Sequence, residues 1–143
     1  MIVLDANILL YAYDETAEFW LRAREWVSGK LSGADPVGLP WQTIGAFLRI
    51  STNPSLRGSR FTMKEATEIV NSWLWEPNVQ VLAPGKRHWA ILEELLIAGQ
   101  TRGPRVTDAQ LAAITIEYGG TLHTTDRDFA RFPGLRWTNP LTS

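Results

Sequence analysis

The chain has 143 residues, of which 45% are apolar and 20% are charged, with 14 Lys and Arg against 15 Asp and Glu and no cysteine. This length is enough for a compact core without disulfide or metal staples, and we expect residues 1–143 to form a single domain. The lack of cysteine excludes disulfide frameworks, thiolate zinc sites and cysteine nucleophiles. A net charge of -1 gives no overall basic signal for a nucleic-acid partner.

The first residues do not resemble a targeting segment. The apolar run of residues 1–4 is closed by Asp5, and no basic residue precedes it, unlike the start of a secretory signal peptide. No apolar stretch approaches the roughly 18 residues that a membrane span needs. We therefore expect a cytoplasmic protein with no membrane segment.

The first half of the chain alternates strand-like and helix-like segments. Ile2–Leu4 is a short continuous apolar run, typical of a strand buried on both faces. Helical spacing of apolar residues then predicts helices over residues 6–13 and 16–30. An extended segment, Val37–Pro40, and a helix over residues 43–51 follow.

The second half continues the alternation. One capping box, Thr62-x-x-Glu65, opens a helix, and a second, Thr107-Asp108-Ala109-Gln110, opens another that ends at Gly119. The remaining pattern predicts a strand, a helix and a strand over residues 79–82, 88–98 and 121–125. This order predicts an α/β fold with a mostly parallel central sheet flanked by helices.

Acidic residues stand where a ligand site of such a fold is expected. Asp5 follows the first predicted strand, Asp126 follows the last, Asp128 comes two residues later, and Asp108 lies in the first turn of a helix. Parallel neighbouring strands would bring Asp5 and Asp126 to the same edge of the sheet. Each aspartate alone also fits a helix cap or a turn, which is the structural alternative.

Converging carboxylates need a compensating charge. Two of them 4 Å apart repel by about 4 kcal/mol at an effective dielectric near 20. With no cysteine and only two histidines, oxygen ligands predict a hard cation, Mg²⁺ or Mn²⁺. Such an ion activates water for phosphodiester hydrolysis.

Three segments together resemble a PIN domain, with the greatest likeness to bacterial VapC-type toxins of toxin–antitoxin systems. They are Leu4-Asp5-x-Asn7, Thr107-Asp108-x-x-Leu111-Ala112-Ala113 and Thr124-x-Asp126-x-Asp128-Phe129. The segment from Ala46 to Pro54 resembles a signature of one subgroup, and the ending from Arg131 to Leu141 is also similar.

The resemblance implies a Mg²⁺- or Mn²⁺-dependent endoribonuclease that cleaves cellular RNA, is usually a homodimer and is held inactive by a cognate antitoxin. Three acidic ligands of the family, also its catalytic residues, match Asp5, Asp108 and Asp126, and Asp128 matches a further acidic position near the metal. The polar positions that orient such ligands match Asn7 and Thr124.

The sequence departs from the family pattern at one place. The family usually carries a Glu early in the third helix, where this chain has Ala46. Gln42 lies one turn earlier and could reach the same space, but it is a neutral and weaker ligand. We therefore expect one fully ligated ion.

The near-zero net charge conceals a segregation of charge. No Asp or Glu occurs in residues 36–64 or 95–107, and these segments carry arginines. Phosphate binding needs a local positive surface rather than a positive total. The candidate RNA-binding residues are Arg49, Arg57, Arg60, Arg102 and Arg105. The alternative is that they are solvated surface charges.

Other features leave alternatives open. Seven tryptophans indicate either a core with a dimer interface or a groove that receives an apolar antitoxin helix. A catalytically weak RNA-binding or partner-binding module would explain the missing Glu. A phosphatase forming an aspartyl phosphate on Asp5 is a further alternative, although no Gly-rich phosphate loop supports it.

Overall fold

The computed structural model describes residues 1–55 and 60–142. Within these residues the strands are β1 (Ile2–Leu4), β2 (Val37–Pro40), β3 (Val79–Leu82), β4 (Thr121–His123) and β5 (Trp137–Thr138). The α-helices are α1 (Ala6–Ala12), α2 (Trp20–Leu31), α3 (Trp41–Thr52), α4 (Met63–Leu74), α5 (His88–Ala98) and α6 (Val106–Glu117). Two 3-10 turns occupy Gly103–Arg105 and Arg127–Arg131.

The strands form one parallel sheet in the order β3-β2-β1-β4-β5. β1 lies at its centre, where Ile2 is in register with Val37 of β2 on one side and Thr121 of β4 on the other. The predicted α/β fold with a mostly parallel sheet is confirmed. Strand β5 was not predicted, because its two residues are too few to show a pattern.

Helices cover both faces of the sheet. Leu4 belongs to a buried cluster formed with α1 to α4, in which Phe47 and Trp73 are the largest side chains. Val3 belongs to a second cluster, formed with α5 and α6. Because successive side chains of a strand point to opposite faces, β1 contributes to both clusters and holds the middle layer of the domain.

Of the two capping boxes predicted from the sequence, one is present in the structure and the other is not. The capping box at the start of α4 is confirmed, since Glu65 N donates to Thr62 Oγ1 over 3.1 Å and Thr62 N to Glu65 Oε1 over 2.9 Å. The capping box predicted at Thr107 is wrong. The 3-10 turn ending at Arg105 runs directly into α6, so the helix begins at Val106 without a side-chain cap, and Thr107 is already inside it.

Local turns set the start of α2 and the end of α6. α2 begins at Trp20 rather than at residue 16, because Asp14 and Thr16 form a hydrogen-bonded turn before it. α6 ends where Gly119 adopts a φ of +66°, a conformation that favours glycine, and the chain then turns into β4. No helix in residues 1–55 and 60–142 has the length and apolarity needed to cross a membrane.

Candidate active site

Asp5 stands at the carboxyl edge of the sheet, directly after the central strand. Its backbone N–H donates to the carbonyl of His123, the last residue of β4, over 3.1 Å. Its side chain caps α1 by accepting from Ala6 N over 2.7 Å. The sheet therefore places Asp5 beside the segment that follows β4 and carries Asp126.

A hydrogen-bond network joins these two segments. Thr124 Oγ1 donates to Asp5 Oδ2 over 2.8 Å, and Asn7 Nδ2 donates to Thr124 Oγ1 over 3.1 Å and to Asp5 Oδ2 over 3.4 Å. The Asp126 N–H donates to Thr124 Oγ1 over 3.0 Å. Asn7 and Thr124 thus touch Asp5 and fix the start of the turn that carries Asp126.

Asp108 is carried by a helix rather than by a strand end, since it lies in the first turn of α6. Helix α3 holds this turn, since Gln42 Nε2 donates to the Thr107 carbonyl over 3.1 Å. The next residue of α3, Thr43, donates to the Leu4 carbonyl over 2.8 Å, immediately before Asp5. The start of α3 is therefore hydrogen-bonded to Leu4 and to Thr107, which directly precede the candidate ligands Asp5 and Asp108.

The carboxylates perturb one another. Burial raises the pKa of Asp5 most, hydrogen bonds from Thr124 and Ala6 oppose the rise, and the charges of Asp108 and Asp126 add to it. Burial also raises the pKa of Asp108, with Asp126 as the next cause, while Arg105 acts in the opposite direction. The structure thus brings three aspartates within electrostatic reach of one another, and it disfavours the ionisation of Asp5 and Asp108.

An open cavity of about 790 Å³ lies over the acidic residues. Three aspartates and three arginines line it together with Gln100 and Pro104, namely Asp108, Asp126, Asp128, Arg102, Arg105 and Arg131. Of the five predicted RNA-binding arginines, Arg102 and Arg105 are therefore beside the acids. A cavity with both signs of charge suits a ligand that carries both phosphate and a cation.

Two other predicted arginines, Arg49 and Arg60, do not line this cavity. Arg60 is ion-paired with Asp14 and also donates to Thr16 Oγ1 over 3.2 Å. Arg49 is exposed in the last turn of α3 and does not line the acidic cavity. Arg57 lies outside the described residues.

The aspartates offer the oxygen donors that a hard cation prefers, although their side chains already contact other protein groups. Within residues 1–55 and 60–142, no three His, Asp or Glu side chains are already arranged around a common ion position. Asp126 Oδ1 accepts from Asp128 N over 2.9 Å, and Asp128 Oδ2 lies 2.7 Å from Arg105 Nη1. The acids that meet here offer only carboxylate oxygens, which are the donors that Mg²⁺ and Mn²⁺ prefer.

One residue of the site, Arg131, was not predicted, whereas the sequence singles out Gln42 and Ala46. Arg131 lines the cavity, and its charge opposes the rise in the pKa of Asp108, but no local pattern beyond the family-like ending singles it out. Gln42 was considered as a substitute ligand, but its amide nitrogen binds a backbone carbonyl. Ala46, in the position of the family's Glu, is half-buried and adds no donor.

Comparisons with known proteins agree with this architecture. A family model described as the PIN domain matches residues 2–135. Ribonuclease VapC37 of Mycobacterium tuberculosis is 38% identical over 140 residues, which cover 98% of this chain and 97% of that protein. Ribonuclease VapC33 of the same organism is 39% identical over 141 residues, with 99% of each protein covered.

The fold also matches solved structures. The structure of VapBC2 from Rickettsia felis bound to a DNA fragment from their promoter aligns with a TM-score of 0.69. The alignment covers 97% of this chain and 98% of that chain at 17% identity. At this identity the match concerns the fold alone.

Proposed function

Because this chain belongs to the PIN-domain family, among the VapC ribonucleases, we propose that it is the toxin of a type II toxin–antitoxin system, an endoribonuclease that hydrolyses phosphodiester bonds of cellular RNA. The family predicted from the sequence motifs is thereby confirmed. The observation that carries the activity is the meeting of Asp5, Asp108 and Asp126, which influence one another's charge beside an arginine-lined cavity. In this proposal residues 1–143 act as one cytoplasmic domain.

The proposed cofactor is Mg²⁺ or Mn²⁺. Asp5, Asp108 and Asp126 would hold it as catalytic ligands, with Asp128 as an additional acidic ligand. When bound, the ion would supply Lewis-acid activation of water and would neutralise charge that develops on the scissile phosphate. The raised pKa values of Asp5 and Asp108 support this assignment, because burial and the neighbouring carboxylates disfavour the ionised forms that a bound cation would stabilise.

The protein's own residues prepare the site. Thr124 and Asn7 orient the carboxylate of Asp5, because both donate to its Oδ2. Gln42 positions the first turn of α6 and through it Asp108. Preorganised ligands of this kind avoid a reorganisation cost when substrate binds.

The cavity arginines would bind the RNA backbone. Arg102, Arg105 and Arg131 line the same cavity as Asp108 and Asp126. Phosphate contacts from arginine fix the position of a nucleic acid without reading its sequence. Arg49, Arg57 and Arg60 stay as proposed RNA contacts, although the ion pair with Asp14 leaves Arg60 less available than a free guanidinium.

A groove of about 640 Å³ supports the proposed antitoxin partner. Apolar and aromatic side chains of α1, α2, α4 and the segment before α4 line it, among them Tyr13, Trp20, Val27, Leu31, Phe61 and Trp73. Charged groups at the same groove are Glu15, Arg24, Arg60 and Glu76. An amphipathic helix of an antitoxin would fit such a groove, and the VapBC2 neighbour is itself a VapBC assembly.

Exposed apolar side chains support a homodimer. Trp41 at the start of α3 is 57% exposed, and Trp89 and Ile97 of α5 are 63% and 75% exposed. Large exposed apolar side chains are enriched where proteins associate. We therefore propose that a second copy of the chain is a further partner.

Incubation of the purified protein with total RNA, followed by end mapping, tests the activity. We expect cleavage with Mn²⁺ or Mg²⁺, and none with excess EDTA or after Asp5→Asn. Asp35→Asn is the matched control, because Asp35 is an exposed carboxylate paired only with Lys30 among the described residues and should leave cleavage intact. Cleavage that persists in EDTA would rule out the metal-dependent mechanism.

Two further measurements, of RNA binding and of phosphoryl transfer to Asp5, separate the alternatives. Binding of RNA without turnover, unchanged after Asp108→Ala, would favour a non-catalytic binding module. Covalent capture of a phosphoryl group on Asp5 would favour a phosphatase. Neither alternative predicts loss of cleavage on chelation together with loss in Asp5→Asn.

A further inference from the structure

Arg105 differs from the other arginines of the acidic cavity in its contacts. Its Nη1 lies 2.7 Å from Asp128 Oδ2 and 3.9 Å from Asp108 Oδ2. Asp128 belongs to the 3-10 turn after β4, whereas Asp108 belongs to α6. One guanidinium therefore connects the two segments that carry three of the four proposed ligands.

The backbone of Arg105 belongs to regular structure, while its side chain is partly exposed. The residue ends the 3-10 turn that contains Pro104 and directly precedes α6, with φ of -75° and ψ of -10°. Its side chain is 39% exposed and lines the open cavity. The guanidinium therefore has open space of the cavity beside it.

Arg105 places a positive charge beside Asp108 and Asp128, where a bound cation would also place one. Asp128 Oδ2 is within hydrogen-bond distance of the guanidinium, and Asp108 Oδ2 is within ion-pair distance. A carboxylate oxygen that accepts from a guanidinium N–H has a lone pair occupied that a cation would need. Binding of a divalent cation by these carboxylates therefore competes with the arginine for the same oxygens.

We propose that Arg105 is a positioning residue that sets the cation affinity of the site by competing with the divalent ion for Asp128 and Asp108. When the ion takes these oxygens, the guanidinium is released into the cavity, where an RNA phosphate would be its next partner. This inference rests on the proposed function. It goes beyond that function by assigning to one arginine a role opposed to metal binding rather than one in phosphate binding alone.

The expected size of the effect follows from the exposure of the pair. Exposed ion pairs shift an equilibrium by about 1.4- to 5-fold. Since Arg105 faces two carboxylates in a partly enclosed cavity, we expect Arg105→Gln to tighten Mn²⁺ binding by about two- to fivefold. Arg105→Lys, which keeps the charge, should stay nearer to the wild type.

Titration calorimetry of the full chain with MnCl₂, without RNA and at constant ionic strength, measures this affinity. Arg131→Gln is the matched control, because Arg131 lines the same cavity and its charge acts on Asp108, but no ion pair joins it to an acid within residues 1–55 and 60–142. It should tighten binding less than Arg105→Gln does. In an Asp128→Asn background, the additional effect of Arg105→Gln should shrink.

The outcomes distinguish this inference from the function on which it rests. Equal or weaker Mn²⁺ binding by Arg105→Gln, or equal tightening by both arginine variants, would overturn the role of Arg105 alone. Failure of every protein, including the wild type, to bind Mn²⁺ would overturn both proposals. Urea unfolding of each variant in EDTA shows whether it is folded, so that a loss of affinity through misfolding is recognised.

Discussion

The hydroxyl of Thr124 donates a hydrogen bond of 2.8 Å to the Asp5 carboxylate, joining two residues that are 119 positions apart. Thr124 is fully buried, and its oxygen also accepts from Asn7 Nδ2 and from the backbone of Asp126. One side-chain oxygen therefore links the capping residue of α1 to the turn after β4. The geometry of two proposed ligands depends on this hydroxyl.

Thr124→Val should destabilise the protein, because it keeps the shape of the side chain but removes the buried hydroxyl that donates to the half-buried Asp5 carboxylate. An unsatisfied buried polar group costs about 1–3 kcal/mol, and we expect a loss of this size in urea unfolding with EDTA. Cleavage should also fall, since Asp5 loses its orienting partner. Thr124→Ser retains the hydroxyl and is the control. Equal stabilities of the Val and Ser variants would refute this account.

Gln42 should support metal binding by holding the first turn of α6 in place, not by binding the ion itself. Gln42→Met keeps the length of the side chain but loses the bond from Nε2 to the Thr107 carbonyl, a contact of 3.1 Å. We expect a loss of about 0.5–1.5 kcal/mol in unfolding free energy and weaker Mn²⁺ binding. Gln80→Met, at an exposed position of β3, is the matched control for the same chemical change. If Gln42→Met binds Mn²⁺ as the wild type does, the positioning role is wrong.

The sequence predicted the elements of the site whose position depends on regular structure. Asp5 and Asp126 follow strands, and parallel neighbouring strands must end at the same edge, so their proximity could be foreseen. Asp108 could be placed near the start of a helix, although the exact start was missed. That error arose because the 3-10 turn Gly103–Arg105 replaces a side-chain cap, and no local capping signal encodes it.

Contacts between irregular segments were beyond sequence reasoning. The pair of Arg105 with Asp128 depends on the relative placement of two 3-10 turns. The bond from Gln42 to Thr107 spans 65 positions and needs the register of α3 against α6. Periodicity and capping describe one element at a time, so neither contact leaves a pattern in the sequence.

Arg102, which lines the acidic cavity, should contribute more to RNA affinity than Arg60, which is paired with Asp14. Arg102→Gln should weaken binding and lower the slope of log affinity against log salt by about one, as the loss of one phosphate contact does. Arg60→Gln should change the slope less, because Asp14 already neutralises that guanidinium. Affinities of the Asp5→Asn protein for a fixed RNA between 50 and 200 mM salt, roughly the range over which such slopes are measured, give both values without cleavage. Equal slopes for the two variants would place RNA outside the acidic cavity.

The pair of Asp14 and Arg60 should make stability depend on pH. Burial alone would raise the pKa of Asp14, but hydrogen bonds from Thr16 and the charge of Arg60 lower it below its ordinary value of 3.8. An acid with a lowered folded pKa stabilises the protein above its unfolded pKa, and this stabilisation is lost as the pH falls through the folded value. Asp14→Asn should therefore be less stable than the wild type at pH 7, and the difference should shrink below pH 3.8.

The size of this difference is limited by exposure. The side chains of Asp14 and Arg60 are 27% and 25% exposed, and we expect a loss of no more than about 1 kcal/mol at pH 7. Urea unfolding at pH 7 and at about pH 3 measures it. Asp35→Asn, which removes an exposed carboxylate paired with Lys30 at 3.4 Å, is the control for the charge change itself. A stability gap between wild type and Asp14→Asn that is the same at both pH values would show that the charge of Asp14 does not stabilise the fold, and that its hydrogen bonds to Thr16 account for the whole effect.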